Sequence, residues 1–399
     1  MPSPTVTIKP KREKPIINQH PWIFSGAIAS VKDANPGDVV TVVDSKGHFL
    51  ARGYFNPKSQ IQVRILTWQD EPIDDAWWQK MLQRAIDSRK DQPADSGFRI
   101  INAENDFIPG LVADYYNGWI VLQALTLFID QHKQHIAQML MEMMGARGVY
   151  ERSDVDVRGR EGLSDAIGQL AGLPVPDQIE FQHSPGIKLL VDIKNGHKTG
   201  FYLDQKENHR SLEALIAGSD ETQHVLNCFA YTGAFTVAAL ATGKTHVVSV
   251  DSSLEALQLA EKNIALNELD QTEESYELIQ ANCFDYLRDA TEAGDQYDII
   301  ILDPPKFAHN KQQIDRASRG YKDLNLHAFH LIKPGGYLMT YSCSGAISQD
   351  LFQKIVFGAL ADSGRQAQIV SHLNANSDHP IALTFPEGEY LKGLLLKVY

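Results

Sequence analysis

From about residue 187 onward, five short runs rich in β-branched and apolar residues recur: His224-VLNCF, Thr245-HVVSV, Tyr276-ELIQA, Tyr297-DIIIL and Tyr337-LMTYS. Each is followed by a helix-compatible segment. Parallel strands need a crossover of a dozen or more residues, usually a helix, so this alternation predicts an α/β domain: a parallel sheet with helices on both faces. Such a sheet gathers ligands at the carboxyl ends of its strands, beside the point where strand order reverses. The residues at those ends are therefore the ones to read for chemistry. The last runs, Ala382-LTF and Leu391-KGLLLKVY, are separated by Pro386-Glu-Gly and read as an antiparallel hairpin at the sheet edge.

Upstream the pattern differs. Residues 1–72 carry short alternating runs, Asp38-VVTVV, His48-FLARGYF and Gln60-IQVRIL, broken by Pro36-Gly37 and Ser45-Lys46-Gly47, which predicts a small β domain. Residues 73–186 read as α+β. A helical stretch near Asp75-AWWQKMLQRAIDSRK precedes Gly110-LVADYY and Trp119-IVLQAL, joined by Asn117-Gly118, a strong hairpin signal. A helix follows, with Asp130 as its expected N-cap and Gly145 as its stop. Residues 187–399 form the third expected domain, in keeping with a chain of 399 residues, too long for one ordinary core.

Three cysteines, Cys228, Cys283 and Cys343, stand far apart without a CxxC pair, which argues against a disulfide framework or a zinc site and fits a reducing cytoplasm. No metal is expected. No apolar run reaches the ~18 residues of a membrane span, and the first residues lack the apolar core of a signal peptide. A net charge of -13 argues against holding nucleic acid by bulk charge alone. Contact with RNA would have to come from local basic patches. Lys306, Lys311, Arg316, Arg319 and Lys322 form one, with Asp315 as the single acid among them. Lys9, Lys11, Arg12 and Lys14 form a second.

The first strand end, Asn227-Cys-Phe-Ala-Tyr-Thr-Gly233, has one glycine where a dinucleotide site would show three. There is little provision for a pyrophosphate. Asp251 ends the second run 18 positions after Gly233, close to the spacing of an acid that binds ribose hydroxyls. A ribose without a pyrophosphate suggests S-adenosylmethionine. Ser252-Ser-Leu-Glu255 reads as a capping box, and Asp251 could equally serve as a local helix cap. The third run ends at Asn282-Cys283-Phe284, where an amide could meet the adenine amino group and a ring its face.

The fourth run ends in Asp303-Pro304-Pro305-Lys306-Phe307. Two prolines fix the backbone, so Asp303 is a rigid acceptor suited to a planar base with an amino group. The fifth ends at Cys343, in Tyr341-SCSG. A thiol at that edge is either a buried hydrophobe, as Cys228 is expected to be in mid-strand, or a nucleophile. A thiolate adding at C6 of a pyrimidine makes C5 nucleophilic toward a sulfonium methyl group. Asp303 would then hold the N3 edge of the base.

With these residues in view, the sequence resembles the RlmI-type family of bacterial 23S ribosomal RNA (cytosine-C5) methyltransferases. The resemblance rests on His20-PWIFSGA, Glu151-RSDV, Leu190-VDIKNGHKTGFYLDQ, Val225-LNCFAYTGAF, Val248-SVD, Asp303-PPKF, Arg319-GYKD, Tyr341-SCSG, Asp350-LFQKI and Pro386-EGEYLKG. It implies an N-terminal PUA domain that binds RNA, a small α+β middle domain and a C-terminal Rossmann-like class I methyltransferase domain that uses S-adenosyl-L-methionine. It further implies that the segment carrying Thr199, Tyr202 and Gln205 covers the methionine part of the cofactor. Asn227, Phe229, Thr232 and Gly233 would form the main binding loop, Asp251 and Ser252 the ribose site, and Asn282, Cys283 and Phe284 the adenine contact. Cys343 would be the nucleophile, with Asp303 beside it. Asn282 stands where relatives often carry Asp, and its carbonyl is expected to take the same bond from the adenine amino group. The implied partner is 23S rRNA, naked or partly assembled, with monomer and homodimer both open. Two other readings compete: methylation of an exocyclic amine or ring nitrogen, and a non-catalytic RNA-binding assembly factor.

Overall fold

A computed structural model of the chain describes residues 4–269, 275–308 and 310–399. His309, inside the basic stretch from Lys306 to Lys322, lies outside the described residues, as do the first three residues. The chain forms two compact units, which do not follow chain order. The first comprises residues 1–181, 191–203 and 377–388, and the second comprises 182–190, 204–376 and 389–399.

In the first unit, strands Thr5–Ile8, Trp22–Phe24, Ile28–Lys32, Val39–Val43, Phe49–Phe55 and Ile61–Thr67 make a six-stranded sheet. Period-two alternation puts Val6, Ile8, Val40, Val42, Val63 and Ile65 into one core. A five-stranded sheet follows, from Gly97–Asn102 to Ala166–Gly172, with helices Asp75–Asp87 and Leu127–Met144. Its hairpin turns on Asn117 and Gly118 at φ 43° and 88°, both left-handed, as a type I′ turn requires. The helix stop at Gly145 is left-handed as expected, but the helix starts at Leu127 with Thr126 as N-cap. Asp130 lies inside the first turn, where Lys133 and Arg158 take its carboxylate at 2.9 and 3.0 Å. A buried ion pair joins Arg64 of the six-stranded sheet to Glu161, which follows a short helix at Val157–Arg160, at 2.9 Å.

Residues 377–388 complete this unit. Asp378 accepts the Arg99 backbone N–H at 2.9 Å, Arg89 donates to its carbonyl at 2.8 Å, and Phe385 packs edge-on against Trp22 with centroids 4.7 Å apart. The expected hairpin strand at Ala382-LTF is therefore absent. Proline flanks the segment at 380 and 386, and proline supplies no ladder donor.

The second unit holds strands β1 (Gln223–Cys228), β2 (Thr245–Asp251), β3 (Tyr276–Gln280), β4 (Tyr297–Leu302), β5 (Ile332–Ser342), β6 (Ala367–Leu373) and β7 (Lys392–Val398). Their spatial order is β3-β2-β1-β4-β5-β7-β6. The first five are parallel, and β7 runs antiparallel between β5 and β6. Helices α1 (Lys206–Ala217), α2 (Ala234–Leu240), α3 (Leu254–Leu266), α4 (Cys283–Ala293), α5 (Ile314–Leu331) and α6 (Gln349–Ser363) cover the faces. Strand order reverses between β1 and β4. Val250 and Leu302 both pair with Cys228, so Phe229, Asp251 and Asp303 leave the sheet side by side at that point.

Among the described residues, no helix is long and apolar enough to cross a membrane.

Candidate active site at the carboxyl edge of the parallel sheet

The loop after β1 turns sharply. Phe229, Tyr231 and Gly233 have φ of 62°, 48° and 78°, so two residues with side chains occupy the left-handed region. Such residues cost on the order of 1–3 kcal/mol each and persist only where the surroundings overdetermine them. Here they do. Phe229 N–H donates to Cys283 Sγ at 3.2 Å, Ala230 N–H to the Val250 carbonyl at 3.1 Å, and Tyr231 N–H to Asp251 Oδ2 at 2.9 Å. A Cβ on Gly233 would lie 2.8 Å from that of Ala260, so the turn also needs a residue without one.

Asp251 thus has a structural task. Its second oxygen accepts the Ser253 N–H at 2.9 Å, and Ser253, not Ser252, caps α3 through the Ala256 N–H at 3.1 Å. Each carboxylate oxygen has acceptor capacity beyond its one backbone bond. Beneath the loop, Asn227 Oδ1 and Thr232 Oγ1 are buried polar atoms without a protein partner. Cys283 is buried, with its thiol lodged between Phe229 N–H and the Val250 carbonyl, a structural position. Cys228 closes β1 and is not in mid-strand; burial and the Cys283 thiol push its pKa up.

Asn282 caps α4, and its side-chain carbonyl accepts the Phe284 N–H at 2.9 Å. That oxygen keeps a second lone pair, so Asn282 still has both an acceptor and its amide donor to offer. Phe284 is half-buried, edge-on to Phe229 and 5.9 Å from Phe307 between centroids.

Across the switch point, Asp303 accepts from Gln205 Nε2 at 2.9 Å. Gln205 Oε1 in turn accepts from Asn208 at 2.5 Å. Gln205 therefore orients the acid. Thr199 and Tyr202 belong to the first unit. There the Thr199 hydroxyl is buried and donates to Asp114 Oδ2 at 2.6 Å, and the Tyr202 ring lies under Lys198 Nζ at 4.2 Å.

The two serines around Cys343 explain its setting. Ser342 and Ser344 are both fully buried and both bond to the Tyr321 hydroxyl at 3.0 Å. Ser344 Oγ also accepts the N–H groups of Phe307 and Ala308, each at 3.2 Å. The strand-five loop is thereby braced to the Asp303-Pro304-Pro305-Lys306-Phe307 turn. Cys343 sits between the clamps, half-buried, with Sγ 3.8 Å from the Pro304 carbonyl. Two residues in this frame escaped the sequence reading. Tyr321 is the shared hydroxyl, and Lys392, buried on β7, donates to the carbonyls of Ser344 at 3.0 Å and Ile347 at 2.8 Å. A lysine opening a strand whose next four residues are glycine and leucine was the available signal for the second.

Lys306, Lys311, Arg316 and Arg319 are exposed, the last two on α5, while Lys322 pairs with Asp362 at 2.6 Å. Lys11 and Arg12 are exposed in the first unit.

A switch-point loop with one glycine, a strand-end acid with free lone pairs, unpartnered buried acceptors and a half-exposed ring could hold a nucleoside that carries no pyrophosphate. Fold and site are those of S-adenosylmethionine-dependent methyltransferases. The family model of that description matches residues 112–381, about two thirds of the chain, and a PUA-like domain model matches residues 6–68. Ribosomal RNA large subunit methyltransferase I of Tolumonas auensis is 45% identical over 99% of both chains, and that of Pseudoalteromonas atlantica is 44% identical over 99% of this chain and 100% of its own. The chain belongs to the ribosomal RNA large subunit methyltransferase I family. Its cofactor is S-adenosylmethionine. A solved methyltransferase complexed with SAH shares the fold at TM-score 0.84 and 23% identity, covering 98% of this chain and 99% of its own. A SAM-dependent methyltransferase structure from Streptococcus mutans does so at TM-score 0.83 and 22% identity, with the same coverage.

Proposed function

We propose that this methyltransferase acts on large-subunit ribosomal RNA and methylates C5 of a cytosine in 23S rRNA, with Cys343 as the nucleophile. The observation that carries the reading is the braced thiol: Cys343 leaves the sheet between two buried serines, against the turn that follows Asp303. A structural cysteine has no need of that frame, as Cys228 and Cys283 illustrate.

When bound, S-adenosylmethionine supplies an electrophilic methyl group. Asp251 is assigned to the ribose, the Phe284 face and the Asn282 amide to the adenine, and the Asn227 to Gly233 loop to the remainder. The Cys343 thiolate forms a bond to C6 of the cytosine. Ring electrons shift toward N3, where Asp303, held by Gln205, delivers a proton. C5, now enamine-like, takes the methyl group. The C5 proton is then lost to solvent, the N3 proton returns to Asp303, and rupture of the sulfur–C6 bond restores the aromatic ring and releases the Cys343 thiolate. The target base must be unpaired or flipped for the thiol to reach its C6 face. Lys306, Lys311, Arg316 and Arg319 suit contact with the neighbouring phosphates.

The test is incubation of the protein and Cys343→Ala with labelled S-adenosylmethionine and unmodified 23S rRNA, followed by digestion and mass identification of the nucleoside. Label in 5-methylcytidine, lost in the variant, is expected. Undiminished label in the variant, or label in an amine- or ring-nitrogen-methylated nucleoside, overturns the covalent reading.

A further inference from the structure

Lys392 is nearly excluded from solvent, at 2% exposure, in a strand whose other side chains are apolar apart from Lys397. Burying an ammonium is costly unless its donors are met, so a lysine retained there calls for a specific reason. Its register supplies one. Lys392 pairs with Ser342 across the antiparallel β5–β7 ladder, and directly paired residues share a face. The stem therefore runs alongside Ser342 and Tyr321, and Nζ reaches past the strand end to the Ser344 and Ile347 carbonyls. Those two carbonyls bracket the turn that leaves Cys343. The backbone is thus held twice, by Tyr321 through two serine hydroxyls and by an ammonium through two carbonyls.

We infer that Lys392 is a positioning residue for Cys343: it fixes the turn that carries the thiol and stands beside it as a buried positive charge that favours the thiolate. The catalytic use of that thiolate rests on the cytosine-C5 reading, whereas the pairing itself does not. The surrounding charges agree. Burial lowers Lys392 to about 8, while the Cys343 and Glu389 charges oppose that shift and Lys306 adds to it. The Cys343 charge in turn raises the Tyr321 phenol, which burial has already raised. The charged and titratable groups that act on the pair are therefore Tyr321 from α5, Lys306 from the turn after β4, and Glu389 ahead of β7. Lys392 is the buried cation here, whereas Lys306 is exposed.

The test is the pH dependence of iodoacetamide alkylation of Cys343, read peptide by peptide by mass spectrometry so that Cys228 and Cys283 are separated. In the intact wild-type protein the apparent pKa of Cys343 is expected below the ordinary thiol value of about 8.5. Lys392→Met should raise it by about one unit, while Lys392→Arg should stay near wild type. At pH 7 that means a loss of roughly three- to tenfold in alkylation rate, because the more basic thiolate is also the better nucleophile. A wild-type Cys343 pKa at or above 8.5 overturns the inference without recourse to any variant, as does an unchanged pKa in a folded Lys392→Met protein. Failure of the cytosine-C5 reading would show separately, as methylation that survives Cys343→Ala while the alkylation result holds.

Discussion

At the scale of single residues, the frame of the site depends on side chains that have no assigned contact with the substrate. Ser344 is the clearest case. Its hydroxyl serves two backbone donors and the Tyr321 phenol, so Ser344→Ala leaves buried groups unsatisfied at about 1–3 kcal/mol each. The expected outcome is a loss of about 2 kcal/mol in chemical denaturation and at least a tenfold fall in methyl transfer, with cofactor affinity unchanged by calorimetry. Asp251→Ala should act on the cofactor instead. It removes the acceptor for Tyr231 and Ser253 N–H, so S-adenosylmethionine binding should weaken more than tenfold by calorimetry.

At the scale of elements, the loop from Phe229 to Gly233 is the part whose shape matters most. Gly233→Ala places a Cβ against Ala260 at a φ of 78° and should cost about 2 kcal/mol, with most cofactor affinity lost in the same titration. What was legible at this scale follows from local chemistry. Asn117-Gly118 announced its turn, five β-branched runs announced the parallel sheet, and Cys343 stood where a strand ran out. What was hidden depends on distant partners. Nothing local says that Ser342 and Ser344 share one phenol from α5, that Gln205 turns toward Asp303, or that Lys392 folds under the Cys343 turn. Ala382-LTF misled for the same reason: its apolar alternation is real, but Phe385 is buried against Trp22 and not in a ladder.

At the scale of the whole molecule, the second unit carries a buried histidine pair, His183 Nε2 and His209 Nδ1 at 2.8 Å. Burial holds His183 well below its usual value and lowers His209 to about 3. The unfolded chain therefore binds these protons more readily than the folded one. The contribution is fully present above about pH 6.5 and is lost as pH falls from there toward 3, by up to about 1.4 kcal/mol per pH unit for each histidine. Urea unfolding at pH 7.5 and 5.5 should show this slope, and His209→Gln should flatten it.

The order of segments has a further consequence during synthesis. The first unit takes residues 1–181 and 191–203 early, but its last piece, 377–388, emerges some 185 residues later. At about 5–20 residues per second, that is a wait of roughly 10 to 40 seconds. Throughout it, Arg89 lacks the Asp378 carbonyl, Arg99 N–H lacks the Asp378 carboxylate, and Trp22 lacks Phe385. The N-terminal half of this enzyme is therefore made first and completed only near the end of synthesis, so a nascent chain stalled before residue 377 should stay protease-sensitive in a region that the completed chain protects.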